Sequence, residues 1–223
     1  MVERYLKAMF FMVFEGLDGS GKSSLMKMLD QHLTARSFST VVTREPGGTE
    51  VGDQLRDLIL QKRENAPTPR TELLMYQASR AQHVDLVIRP ALLQKKWVLC
   101  DRFSASSVAF QGGGRGISKE QVEWLNHFST NDLVPDLTVL LDLSVEESKK
   151  RRTRRGDETG SVDDRIESEK DDFHERVRTA FVDQAKESQR TGQNNWLVLN
   201  AALTPDELFK ILLNDLQSRG WVS

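Results

Sequence analysis

The chain of 223 residues contains one cysteine, Cys100. A single thiol cannot close an intramolecular disulfide, so no disulfide framework is expected and a reducing, cytoplasmic compartment fits best. It also excludes a cysteine-built zinc cluster. Long apolar runs are missing too. The most hydrophobic stretch near the start, residues 9–14, stops at Glu15. That is far below the ~20 residues of a membrane span and too short for the core of a secretory signal. Charge of one sign is not in excess, since 31 Lys and Arg stand against 33 Asp and Glu. This near-balance argues against a general nucleic-acid partner or an anionic membrane surface. With 38% hydrophobic and 29% charged residues the composition is globular. No internal repeat or low-complexity linker divides the chain, and one domain over residues 1–223 is expected.

Short apolar runs alternate with helical periodicity along the sequence. Residues 9–15, 39–44, 96–101, 136–143 and 196–199 read as strands, mostly apolar on both faces. Between them, residues 22–36 place Leu25, Met28, Leu29 and Leu33 on one helical face. Helices are also expected over 49–61, 71–95, 104–111, 118–128, 165–189 and 204–218. One more starts at 144–150 and runs into a very basic segment. Pro205 follows Thr204 with Glu207 three residues on, a helix-start signature. Near-continuous apolar strands alternating with helices predict an α/β fold, a parallel five-stranded sheet with helices on both faces.

Directly after the first strand comes Gly16-Leu17-Asp18-Gly19-Ser20-Gly21-Lys22-Ser23, a complete G-x-x-x-x-G-K-[ST] loop opening into an amphipathic helix. Its glycines let successive N–H groups converge on phosphate oxygens, Lys22 adds a mobile charge, and the Ser23 hydroxyl can ligate Mg²⁺. The helix start contributes its positive end. A nucleoside triphosphate is the expected ligand. The guanine-reading N-K-x-D of a GTPase is absent, and the third strand continues as Asp101-Arg102-Phe103 rather than D-x-x-G.

Arginines cluster near the strand ends instead, at Arg44, Arg102, Arg151, Arg152, Arg154 and Arg155. Strand C-terminal ends face the ligand crevice of such sheets, and arginine clamps phosphate there, so two phosphorylated ligands facing each other are expected. Asp101 closes an apolar strand, where it can support Mg²⁺ or cap the next helix. The basic run 149–155 followed by Gly156-Asp157-Glu158-Thr159-Gly160 reads as a mobile lid over about 151–163, with a nucleic-acid patch as the disfavoured alternative.

Five segments together resemble the thymidylate kinase family. They are Phe14 to Ser23, Thr43-Arg44-Glu45-Pro46-Gly47-Gly48-Thr49, the stretch from Glu72 to Gln82, Asp101-Arg102-Phe103 with Ser106-Ser107-Val108-Ala109-Phe110-Gln111-Gly112, and Asp164-Arg165-Ile166-Glu167. The resemblance implies transfer of the γ-phosphoryl group of ATP to dTMP, with Mg²⁺, by a homodimer. It implies that Tyr76 stacks on thymine, Arg80 reads its carbonyl and Arg102 holds the dTMP phosphate. Asp18 and Glu45 match acidic positions near the deoxyribose and metal, and Ser106, Ser107 and Gln111 match the base-edge segment. Tyr76 could equally be core packing and the two serines helix-start residues. ATP would lie on residues 16–23 with Ser24 and Arg151, and Ser23 with Asp101 would serve the metal. Some members carry arginine inside the phosphate loop. This chain has Gly19 there and arginines in the lid, which points to Arg155, beside Lys22, Arg102 and Asp18, as the charge-stabilising lid residue. Helices 49–61 and 71–95 are the expected dimer face.

Overall fold

The computed structural model describes residues 9–160 and 162–222, so Ser161 of the expected lid and the two chain ends lie outside it. Five parallel strands form one sheet in the order β2-β3-β1-β4-β5. They are β1 (Phe11–Glu15), β2 (Thr40–Arg44), β3 (Trp97–Asp101), β4 (Leu137–Asp142) and β5 (Trp196–Asn200). β1 runs between β3, with Phe14 opposite Asp101, and β4, with Phe14 opposite Val139.

Strand alternation decides which helices cover which face. Met12 and Phe14 of β1 point to one side, where they meet Leu25, Leu29 and Leu33 of α1 (Lys22–Thr34) and Leu208, Leu212 and Leu216 of α9 (Pro205–Ser218). Each of those leucines is fully or nearly fully buried, worth about 1.5–3 kcal/mol apiece. Phe11 and Val13 point to the other side, against Val84, Ile88 and Phe103. α8 (Asp171–Arg190) covers the same face further along with Phe173, Val177 and Phe181. The Thr204–Glu207 capping box closes reciprocally at the start of α9, as its spacing predicts.

Four expectations change in the structure. The helix expected over 71–95 is built in three pieces: α3 (Pro69–His83), a π-helical turn at Val84–Ile88, and α4 (Arg89–Leu93). Pro90 has no N–H to give the residue a turn earlier and its ring crowds that carbonyl, so the preceding turn widens. A second π-helical segment, Val108–Gly114, follows α5 (Ser104–Ser107), beyond the expected end at 111. A Cβ at Gly113 would lie 2.7 Å from that of Ala180, so glycine there permits the close approach of α8. The segment Gly156 to Gly160, expected as a loop, is instead the end of α7 (Val145–Thr159) with Gly160 as its left-handed cap. Three i,i+4 pairs, Glu146–Lys150, Glu147–Arg151 and Arg154–Glu158, carry the helix through its basic run. Finally, residues 165–168 form a turn and α8 begins only at Asp171, because Asp164 Oδ1 accepts the N–H groups of Ile166 and Glu167 at 2.8 Å each.

The remaining helices are α2 (Glu50–Leu60) and α6 (Lys119–Thr130), which pack on either side of α3. No helix among the described residues is long and apolar enough to cross a membrane.

Candidate active site

β1 delivers the chain into the phosphate loop at Glu15, and α1 receives it at Lys22. The turn between them uses left-handed backbone at Gly16, Gly19 and Gly21. At Gly16 a side chain is also blocked sterically, since a Cβ would stand 2.4 Å from Leu141 O. At Gly19 it would stand 3.1 Å from Ser148 O and 3.3 Å from Arg151 Cβ. The first turns of α7 therefore lie against this loop, and Ser148 Oγ fixes them by donating to Asp18 O at 2.7 Å.

Lys22 curls back over the loop it follows. Its ammonium donates to the carbonyls of Gly16 and Leu17 at 3.2 Å each and lies 3.9 Å from both Asp18 and Asp101. Burial and the neighbouring Arg102 lower its pKa against the opposing pull of Asp101, Asp18 and Glu15. Two buried oxygens here, Ser20 Oγ and Asp101 Oδ1, have no hydrogen-bond partner among the described residues. Unpaired buried oxygens are costly; Ser20 belongs to the lining of one cavity and Asp101, with Ser23, to that of a neighbouring one. Ser23 Oγ donates to the other Asp101 oxygen at 3.4 Å. A hydroxyl and a carboxylate side by side, one carboxylate oxygen uncommitted, form an oxygen donor set suited to Mg²⁺. Beyond the loop, Ser20, Gly21, Ser24 and Arg151 line a cavity of about 410 Å³ closed by Thr204 and Leu208. Leu17 is core beneath the loop.

A second cleft opens on the other side of Asp18. Glu45, Tyr76, Arg102, Ser106 and Gln111 all line it together with Asp18. Arg102 follows β3 with φ +72, left-handed backbone that costs a residue with a side chain roughly 1–2 kcal/mol. Its guanidinium lies over the Phe110 ring at 5.0 Å and donates to Asp18 Oδ1 at 2.8 Å. Burial alone would raise the Asp18 carboxyl; Arg102 and Lys22 outweigh it and hold the group well below the ordinary carboxylate range. Burial and the Glu72 carboxylate push the Tyr76 phenol up, so it stays neutral. Gln111 Nε2 is held by Glu72 at 3.0 Å.

Arg80 and Ser107 do not line this cleft; they stand behind its wall. Arg80 is buried, with Nε on Glu45 Oε2 at 2.8 Å, Nη1 shared among Gln77, Ser107 and Asn126, and Nη2 on Phe103 O at 3.0 Å. Of its five N–H groups, one on Nη2 is left without a protein acceptor among the described residues. His83 Nδ1 takes the other Glu45 oxygen at 3.0 Å, so Glu45 is pinned from both sides. The arginines of the basic run on α7 also differ from one another. Arg155 pairs with Glu167 at 2.7 Å and remains half exposed, while Arg151 pairs with Glu147 beside the phosphate loop. Arg152 is buried on Asp163 and Glu167 O, and Arg154 points outward.

Several cleft residues had no assigned role in the sequence: Arg56, Phe110, Asp164 and Ile166 line it as well. Asp164 and Ile166 belong to a recognised motif, but Arg56 is one arginine among many on an exposed helix and carries no signal. Glu15 also went unassigned, although a carboxylate ending a wholly apolar strand is itself a signal. Burial pushes its carboxyl up to about 7 against the pull of Arg102, Ser106 and Phe103. The folded state therefore keeps a proton between pH 4.5 and 7 that the unfolded chain has released, and stability falls as pH rises through that window. Urea melts should show the parent losing about 3 kcal/mol relative to Glu15→Gln from pH 4.5 to 7. Parallel stability curves would refute this.

Comparison with known proteins agrees with the geometry. The thymidylate kinase family profile matches residues 14–210. The chain is 60% identical over 211 residues to a thymidylate kinase of Bdellovibrio bacteriovorus, covering 95% of this chain and 97% of that one. It is 41% identical over 199 residues to the thymidylate kinase of Geotalea daltonii, covering 88% and 91%. A third, from Exiguobacterium sibiricum, is 48% identical over 172 residues, covering 77% and 79%. With a phosphate loop and a second anion-ready cleft meeting at Asp18, and a match spanning nearly its whole length, the chain belongs to the thymidylate kinase family.

Proposed function

We propose that the protein transfers the γ-phosphoryl group of ATP to dTMP, giving dTDP and ADP on the route to dTTP, as a single kinase domain with a lid over about residues 151–163. The observation that carries the reading is that Asp18 of the phosphate loop, whose Ser20 and Gly21 border one cavity, also lines the cleft of Tyr76 and Gln111 and is held there by Arg102. ATP lies along residues 16–24 with its base side toward Arg151 and α9. The Tyr76 ring takes the base of dTMP, Gln111 and Ser106 its edge, and Arg102 its phosphate. Arg80 contributes at most its one uncommitted N–H and otherwise holds Glu45 and Ser107 in place.

The attacking oxygen of dTMP is already ionised at pH 7, so no side chain is needed as a general base. Rate enhancement comes from alignment and from positive charge around the transferring group. Lys22 and Arg102 already sit on either side of Asp18 and need only exchange protein oxygens for phosphate oxygens. Ser23 and Asp101 would hold Mg²⁺, which when bound neutralises charge on the phosphates. Arg155 stands one turn beyond Arg151 on α7 and is half exposed, free to swing toward the γ-phosphate, and the nearly buried Glu167 it would leave keeps the N–H of Asp164. A cytoplasmic setting suits the buried free thiol of Cys100.

The reading is tested by ADP formation from ATP and Mg²⁺ with dTMP, dUMP, dCMP, UMP and thymidine as separate acceptors. Strong turnover with dTMP, weaker with dUMP, is expected; activity with thymidine alone would overturn it. Arg155→Ala should lower kcat 10²-fold or more with little change in dTMP affinity, and unchanged turnover would remove Arg155 from the reaction.

A homodimer through α2, α3 and α6 is part of the same proposal. Val51, Leu74, Trp124 and Phe128 are exposed on these helices, Trp124 and Phe128 stacked in parallel, and Leu74 and Trp124 line one apolar groove. Such a patch on a soluble surface marks an interface. Sedimentation should give twice the chain mass for the parent and a shift to 25 kDa for Trp124→Asp; a monomeric parent would refute the dimer.

A further inference from the structure

Glu15 uses both carboxylate oxygens on one short stretch of chain. Oε1 accepts from Phe103 N at 2.9 Å and from Ser106 N at 3.2 Å, and Oε2 accepts from Ser106 Oγ at 2.6 Å. Arg102 Nη1 lies 3.9 Å from Oε2. α5, which begins two residues after Arg102, has Phe103 at its cap position and no side-chain cap of its own. The buried carboxylate from β1 takes over that task.

Arg102 stands between β3 and α5 in left-handed backbone, a conformation that a residue with a Cβ leaves unless its surroundings hold it. On its N-terminal side the sheet provides that hold: Arg102 N donates to Phe14 O at 3.0 Å. On its C-terminal side Glu15 takes the N–H groups of Phe103 and Ser106, while the carbonyls of Phe103 and Ser104 are held by Arg80 and Asn126. We propose that Glu15 is a positioning residue for the acceptor subsite, gripping the chain beyond Arg102 so that the left-handed turn aims its guanidinium at Asp18 and into the cleft. This inference rests on the reading of Arg102 as the dTMP-phosphate arginine.

A carboxylate suits the task better than its amide. Three donors converge on Glu15, and an ionised carboxylate is acceptor-only. Glutamine keeps the shape but offers one acceptor oxygen, and its NH₂ would meet the Ser106 hydroxyl. The turn then loses part of its grip while the strand and core keep their packing. A structural defect of general kind would affect both substrates, whereas a misaimed Arg102 affects one.

Steady-state kinetics at pH 8, where Glu15 is ionised, separate these cases for Glu15→Gln and Arg102→Met. Glu15→Gln should raise KM for dTMP about tenfold, the equivalent of ~1.4 kcal/mol, with KM for ATP within twofold of the parent and unchanged circular dichroism. A parental dTMP KM in Glu15→Gln beside a raised one in Arg102→Met would overturn the proposal, as would equal rises in both substrates' KM. An unchanged dTMP KM in Arg102→Met would overturn the reading of Arg102 itself and the positioning role with it. Should Glu15→Gln not fold, Glu15→Asp, which keeps the charge but withdraws it by one methylene, is expected to give the same split. Failure of both to fold would make Glu15 a folding residue and overturn the proposal.

Discussion

Arg102 and Asp18 meet at 2.8 Å across the ends of two neighbouring strands, and the arrangement of the site follows from that contact. Asp18 belongs to the phosphate loop and Arg102 to the turn after β3. Their ion pair therefore fixes how the phosphate loop stands relative to the cleft lined by Tyr76 and Gln111. It is partly buried, so it is screened less than a surface pair, and its charges reach outward to Lys22, Asp101 and Glu15. Phosphoryl transfer needs its reacting groups held in line. Alignment of that kind is what a rigid sheet edge supplies and a pair of loops does not.

The arginines divide into two populations with different consequences. Arg80 on Glu45, and Arg115 and Arg165 on Glu72, have their guanidinium groups committed inside the protein. Breaking such a buried pair by removing one partner typically costs 3–5 kcal/mol, because the other charge is stranded. Arg151 and Arg154 pair with glutamates of the same solvated helix, where such pairs contribute little, and Arg155, itself half exposed, reaches the nearly buried Glu167 in the turn before α8. The first population shapes the walls. The second can change partners at lower cost, Arg151 and Arg154 more readily than Arg155.

The sheet, its order of helices and the phosphate loop were legible in the sequence because each has a strong local signature: apolar runs, helical periodicity and the spacing of Gly16, Gly21 and Lys22. Long-range commitment was not legible. That Arg80 spends its hydrogen bonds on Glu45, Phe103 and Asn126 depends on residues up to 46 positions away, and nothing in the local pattern around Tyr76 and Arg80 separates an arginine facing a cleft from one behind it. The helical extension to Thr159 was missed for the opposite reason. Its signal was local, in three i,i+4 charge pairs, but a glycine and a polar run conceal it. The π-helical turns at Val84–Ile88 and Val108–Gly114 reflect Pro90 and the packing of Gly113 on α8, of which only the proline is visible without the fold.

The fit of α7 against Gly19 has an evolutionary side. With Ser148 O and Arg151 Cβ crowding the space a side chain would need, and with left-handed backbone at that glycine, an arginine there would be strained and would require α7 to give by a few tenths of an ångström. Filling this position is then not a local change: it presses on the helix that carries Arg151 and Arg155. The residue at position 19 and the seating of α7 are therefore expected to change together.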